Sequence, residues 1–259
     1  MSDRPCESTL PFGRVLVAGE ARHCLFDREC VRLLDGPAYA DDTSETGEVG
    51  LGTFELLAPV TPSKIVCVGL NYRAHAEEFD EQVPDEPLLF LKPPSTVIGP
   101  GEAIVLPGQS ERVDYEAELA LVVGRRCRDV SVAEAATFVA GYTCGNDVTA
   151  RDLQAKDGQW TRSKSFDTFC PLGPTVVREA PATTGAVAAL LDGVEVQRGL
   201  IGDQLFSPLD LLAFAGAIMT LEPGDVIMTG TPPGVGPLRA GQTVTIVVDG
   251  VGSLTNPVV

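Results

Sequence analysis

The stretch Asp114-Tyr-Glu-Ala-Glu-Leu-Ala-Leu-Val-Val-Gly124 decides the reading of this chain. Its polar and apolar residues alternate with the period of a β-strand. Successive side chains of a strand face opposite ways, so Asp114, Glu116 and Glu118 fall on one side. Tyr115, Ala117, Leu119, Leu121 and Val123 fall on the other. Two strand rises put the Cα atoms of Glu116 and Glu118 roughly 7 Å apart. Like charges at that spacing repel unless a cation lies between them. Farther along, Asn146-Asp-Val-Thr-Ala-Arg-Asp-Leu-Gln154 supplies a third acid, Asp147. Three carboxylates around one point make an all-oxygen site, which suits Mg²⁺ or Mn²⁺ and not zinc.

A Glu-x-Glu pair on a half-buried antiparallel strand is, on its own, more often a solvated face. Two features argue against that here. Ala120 and Val122 continue the carboxylate side as apolar residues, so that side is not simply wet. The polar run 146–154 follows a helix-like segment and is too specialised for a plain loop.

The chain has 259 residues, 44% of them hydrophobic, enough for one sizeable core or for a small domain beside a larger one. A net charge of −17 argues against nucleic acid and against an anionic membrane surface. Charges beyond about 8 Å are screened at physiological salt, so the net charge does not by itself decide what binds at a local site. Seven cysteines form no CxxC and no paired framework. They read as reduced thiols of a cytoplasmic protein. No apolar run approaches the length of a membrane span.

Residues 1–58 read as a small β-rich N-terminal domain, with strands at Arg14–Val17 and Thr53–Leu57 and an acidic loop at Asp41–Glu48 between them. Pro59 and Pro62 flank a linker to a second domain, 59–259. Lys64–Gly69 reads as a short buried strand. Residues 73–82 can form a helix with little apolar surface to hold it, which suits a lid. Ser131-x-x-Glu134 is a capping box that opens a helix through about Ala140. A further helix covers Leu209–Met219. Asp192-Gly193 and Asp249-Gly250 mark hairpin turns. Many short strands with few helices predict a mainly β fold with some α, a mixed β-sandwich or roll.

His75 and Glu78 are three residues apart and share a helix face. The carboxylate can orient the imidazole, and the imidazole can then take a proton from water. Glu77 is the poorer-angled alternative partner. Arg151 and Asp152 read as a supporting ion pair. Gln154 either orients a substrate oxygen or bonds within its own segment. Lys92 either faces the cleft or runs its stem along apolar surface. Thr229-Gly-Thr-Pro-Pro-Gly-Val-Gly236 lacks a phosphate-loop ending. As a tight loop it can aim a backbone N–H and the Thr231 hydroxyl at an anion.

Several of these stretches, in order, resemble the fumarylacetoacetate hydrolase family, in its small acylpyruvase-like and 2-hydroxyhepta-2,4-diene-1,7-dioate isomerase-like branch. They are Val68–His75, Phe90–Pro93, Asp114–Glu118, Asn146–Asp152, Lys164–Phe169 and Thr229–Gly236. Together they cover most of 64–259. The resemblance implies the family's β-roll and a homodimer. It implies Glu116, Glu118 and Asp147 as ligands of Mg²⁺ or Mn²⁺, and Lys164 as the cation beside a developing enolate. His75 and Glu78 join Lys164 as the expected catalytic residues, and Gln154, Thr231 and Lys92 as the expected substrate contacts. Leu70 stands where some similar proteins carry arginine; if that arginine helps hold an anionic or polar substrate, its absence changes the pocket here and leaves the metal site untouched.

The expected activity is metal-dependent hydrolytic C–C cleavage of an acylpyruvate or other 2,4-dioxo carboxylate, fumarylpyruvate among them. The same site suits isomerisation of 2-hydroxyhepta-2,4-diene-1,7-dioate or decarboxylation of oxaloacetate. A reading from another class is a non-catalytic, metal-stabilised protein that binds anionic metabolites; it would need neither Lys164 nor His75.

Overall fold

A computed structural model describes residues 9–78 and 80–259. Cys6, and Phe79 within the helix expected over 73–82, lie outside the described residues. The other six cysteines are free thiols, and all but Cys30 are buried.

The amino-terminal part is a meander of β1 (Phe12–Val17), β2 (Glu20–Phe26), β3 (Cys30–Leu34), β4 (Glu45–Gly50) and β5 (Glu55–Leu56). Val15, Cys24, Val31 and Leu33 form its own small core. The second half of the expected acidic loop is the strand β4. Its residues are almost all exposed because it is the outermost strand of the sheet, where polar side chains meet water on both faces. The segment read as a linker is packed: Ala58 and Val60 are buried.

The chain then forms β6 (Ile65–Gly69), α1 (Arg73–Glu78), β7 (Leu88–Lys92), β8 (Val97–Ile98), β9 (Val113–Tyr115) and β10 (Ala117–Val123). After these come α2 (Val132–Ala135), β11 (Val139–Asn146), β12 (Thr149–Ala150), α3 (Arg151–Asp157), α4 (Thr161–Lys164) and β13 (Cys170–Val177). The carboxy-terminal part holds β14 (Ala186–Leu191), β15 (Val194–Leu200), α5 (Pro208–Ile218), β16 (Val226–Met228), β17 (Gly236–Pro237), β18 (Thr243–Val248) and β19 (Gly252–Pro257).

The expected capping box of Ser131 with Glu134 opens a helix, and a second box, Ser207 with Asp210, opens another. The first helix stops at Ala135, a 3-10 turn covers Ala136–Phe138, and the chain then extends as β11. The segment before 146 is therefore a strand, held between β10 and β13, and not a helix. Asp192 and Gly193 both take positive φ, 51° and 81°, in the turn from β14 to β15. That is the geometry for which Asp-Gly turns are favoured.

A large sheet runs β4-β3-β2-β1-β13-β11-β10-β16-β6-β7, so the amino-terminal meander joins it through β1 and β13. A four-stranded sheet, β15-β14-β18-β19, packs against β10, β11 and β13. A three-stranded sheet joins β12, β9 and β17.

β10 is buried on both faces, in line with the apolar Ala120 and Val122 that continue the carboxylate side. Leu119, Leu121 and Val123 enter the core shared with β14, β18 and α5. Ala120 and Val122 enter a second core with Phe12, Ile65, Leu172 and Met228. Each such leucine or valine stabilises the fold by about 1.5–3 kcal/mol. The strand that carries Glu118 is thus fixed between two cores.

Candidate active site

The strand expected over 114–124 breaks at Glu116. β9 lies in the three-stranded sheet and β10 in the large one, so the chain passes from one sheet to the other at that residue. Side chains satisfy the backbone donors at the crossing. Asn146 Oδ1 accepts from the Glu116 N–H at 3.0 Å, and Gln197 Oε1 accepts from the Ala117 N–H at 3.0 Å. Such partners are required, because an unpaired buried N–H is costly.

Glu116, Glu118 and Asp147 are all buried, and each offers a carboxylate oxygen within 4.8 Å of the others. Asp147 arrives from the residue after β11, and its N–H bonds Glu116 O at 3.0 Å. Lys164, at the end of α4, donates to Glu116 Oε2 at 2.8 Å and to Asp147 Oδ2 at 2.7 Å. Arg151 binds Glu116 Oε1 through Nη2 and Asp114 Oδ2 through Nε at 2.9 Å. Asp114 therefore supports Arg151 and is not part of the carboxylate triad. The expected Arg151–Asp152 pair is replaced by this one, and Asp152 accepts from Ser110 Oγ and the Glu111 N–H instead.

The charge balance is uneven. Burial alone would raise the Glu116 carboxyl, but Lys164 and Arg151 hold it well below the usual carboxylate range. Burial, reinforced by Asp147 and Glu116, pushes Glu118 well above that range. Glu118 Oε2 accepts the Gly230 N–H at 2.7 Å, a dipole and not a full charge. Gly230 takes φ +94°, and an added Cβ would come within 2.6 Å of Asn71, so glycine is needed at this approach. The hard oxygen donors, and the cost that burial and two neighbouring acids put on ionising Glu118, together fit a divalent cation such as Mg²⁺ or Mn²⁺, whose charge would offset that cost.

His75 and Glu78 meet as their spacing predicts, Nδ1 to Oε2 at 3.1 Å. Burial lowers the imidazole pKa from 6.5 despite nearby Glu116 and Glu78, which favours the neutral base at neutral pH. Glu78 also accepts the Gly234 N–H at 3.1 Å, so it ties α1 to the 229–236 loop. Thr231 lines the cavity, but its hydroxyl donates to Ala117 O at 2.8 Å and accepts from Gln197 Nε2 at 2.7 Å. Gln154 lines the cavity too, and its Oε1 accepts from Arg151 at 2.6 Å, the within-segment bond that its position allowed.

Lys92 differs from expectation. Its ammonium is fully buried, donating to Asp147 Oδ1 at 2.5 Å and to Val148 O at 3.1 Å. It is not among the residues that line the cavity over the triad. Asn71, Asn146 and Gln197 escaped the sequence reading. Asn71 clamps Phe206 to Thr229. Buried amides of this kind carry no spacing signal.

The cavity over the triad has a volume of about 460 Å³, within the range of small-molecule sites. His75, Arg151, Lys164 and the triad line one end.

Residues 64–259 match the model for the fumarylacetoacetate (FAA) hydrolase C-terminal domain. The chain belongs to the fumarylacetoacetate hydrolase family. The 2-hydroxyhepta-2,4-diene-1,7-dioate isomerase of Mycobacterium marinum is 39% identical, with a TM-score of 0.89 over 97% of this chain and 98% of that one. A mitochondrial oxaloacetate tautomerase of Xenopus laevis is 43% identical over 79% of this chain and 68% of its own length. The fumarylpyruvate hydrolase of Pseudomonas aeruginosa, solved with Mn²⁺ and pyruvate, is 32% identical, with a TM-score of 0.73 over 78% of this chain and 91% of that one. The protein is an enzyme of this family, and the non-catalytic reading gives way. No helix among the described residues is long and apolar enough to cross a membrane.

Proposed function

We propose that the protein is a divalent-metal-dependent hydrolase that cleaves the C–C bond of acylpyruvates and related 2,4-dioxo carboxylates. The observation that carries this reading is the His75–Glu78 pair beside the carboxylate triad. Glu116, Glu118 and Asp147 would hold Mg²⁺ or Mn²⁺. When bound, the cation would supply Lewis-acid stabilisation of the negative charge that develops on the 2-oxo group.

The chain's own residues do the rest. With Nδ1 held by Glu78, His75 presents Nε2 as a base and takes a proton from water. The resulting hydroxide adds to the C4 carbonyl. The C3–C4 bond breaks, and its electron pair passes to the pyruvyl enolate. The charged Lys164 ammonium stabilises that enolate, since Asp147 and Glu116 raise its pKa against the effect of burial. Protonation at C3 then gives pyruvate beside a carboxylic acid. Gln154 and Thr231 border the substrate, and Lys92 orients Asp147.

A second reading has its own support, in the likeness to the Xenopus tautomerase and the Mycobacterium marinum isomerase. In that case His75 shuttles a proton on the enolised substrate and no water adds. The deciding experiment assays acetylpyruvate, fumarylpyruvate, oxaloacetate and the heptadienedioate with Mg²⁺ or Mn²⁺, with products identified by mass spectrometry. Pyruvate plus a second acid, abolished by EDTA, is the expected result. Enol–keto exchange or a shifted double bond without cleavage replaces the hydrolase with the second reading. Carbon dioxide from oxaloacetate alone would make the enzyme a decarboxylase.

A further inference from the structure

The cavity has two unlike ends. At one, every cation among the described lining residues is committed to carboxylates: Lys164 to Glu116 and Asp147, Arg151 to Asp114 and Glu116. From there an apolar path leads outward. Lys164 Nζ sits over the Phe90 ring, 5.0 Å from its centroid. Phe90 packs edge to face on Trp160, with centroids 5.1 Å apart. The Trp160 ring lies directly on Gly69, where an added Cβ would come within 2.6 Å of it, and Leu88 approaches the same point. Leu70, next to Gly69, and Ala155 also line the cavity, and the one charged residue among the described lining residues outside the constellation of His75, Arg151, Lys164 and the triad is Glu81, an acid.

Leu70 adds an independent observation. It takes φ +57°, a conformation that costs a bulky L-residue energy and that glycine would adopt freely. The chain nonetheless keeps a leucine there, facing the cavity.

We propose that the outer end, formed by Leu70, Leu88, Phe90 and Trp160 beside Glu81, selects 2-oxo acids whose far substituent is uncharged and apolar, flat rings included, over those that end in a second carboxylate. A distal carboxylate would lose its water against leucine and aromatic surface and would meet Glu81 in place of a cation. A phenyl or alkyl tail would bury its area there and stack on Trp160. The inference rests on the 2-oxo acid reading of the inner end. Within the acylpyruvates it points to aroyl and alkanoyl substrates rather than fumaryl ones.

Trp160 is the single tryptophan of the chain, so its fluorescence reports occupancy of the outer end without turnover. The full-length protein with Mg²⁺ is titrated with 2-oxo-4-phenylbutanoate and with 2-oxopentanedioate. The expected result is a change in Trp160 emission and at least about tenfold tighter binding of the phenyl acid. Leu70→Arg should narrow or reverse that ratio. Equal or tighter binding of the dicarboxylate by the native protein overturns the inference and leaves the 2-oxo acid site standing. Failure of both acids to bind overturns the inference together with the function it rests on. A preserved preference with no acylpyruvate cleaved would instead remove the hydrolase reading alone.

Discussion

The Lys92 ammonium lies 2.5 Å from Asp147 Oδ1, wholly buried and outside the lining of the cavity over the triad. Asp147 is thus gripped from two directions, by Lys92 and by Lys164. Lys92→Met removes one charge and leaves Asp147 paired with Lys164 alone. Complete loss of a buried partner costs about 3–5 kcal/mol. Urea denaturation of the metal-free variant should show a smaller but measurable loss, because Lys164 remains. Saturating Mg²⁺ should restore part of it, because a ligand that binds only the folded state stabilises that state. An unchanged denaturation midpoint would mean that Lys92 is not the support of Asp147.

Glu116 and Glu118 should respond in opposite ways to neutralisation. Glu116→Gln leaves Lys164 and Arg151 underpaired, so the metal-free fold weakens by several kcal/mol. Glu118 has its pKa raised by burial and by its acidic neighbours, so it binds its proton more tightly when folded. Its ionisation therefore costs stability increasingly as pH rises above the ordinary value of 4.5. Glu118→Gln should leave the metal-free protein as stable at neutral pH or more so, and flatten that decline. Calorimetric titration with Mn²⁺ should show affinity falling by about 100-fold in either variant.

Asp225 gives the reverse pH dependence, away from the site. It accepts from the Ser63 and Lys64 N–H groups, the Ser63 hydroxyl, the Lys64 ammonium and the Glu222 N–H. Burial would raise its pKa, but these donors, Lys64 foremost, hold it below 3.8. Its contribution is complete above that value and is lost as pH falls through the lowered folded pKa. Asp225→Asn should cost at least about 2 kcal/mol at neutral pH. The gap to the native protein should close below about pH 4 in acid titrations of denaturant stability.

His75→Ala should lower turnover by about 10²–10⁴ while Mn²⁺ still binds. The acid limb of kcat/KM in the native enzyme should fall below pH 6.5, since burial lowers the imidazole pKa. Glu78→Gln removes a charge that favours the imidazolium, so the limb should move lower still as kcat falls. Normal cleavage by His75→Ala would end its role as base.

Much of this was readable in the chain because it is local. The 114–124 alternation foretold two differently packed faces, the Asp-Gly pair at 192–193 marked its hairpin, and the three-residue offset of His75 and Glu78 put them in contact. The break at Glu116 was not readable, because its backbone partners come from residues 30 and 80 positions away. The position of Lys92 depends on which way the last residue of β7 faces beside β6, which a five-residue run does not reveal. Strand β4 was mistaken for a loop because an exposed sheet edge and a polar loop share one composition.

Glu118 stands within β10 of the large sheet, whereas Glu116 is the junction residue between β10 and β9 of the three-stranded sheet. The loop tied to Glu78 runs directly into β17, a strand of that smaller sheet. Glu78 therefore tethers the His75 base, through that loop and β9, to the residue at which the triad's own strand changes sheets.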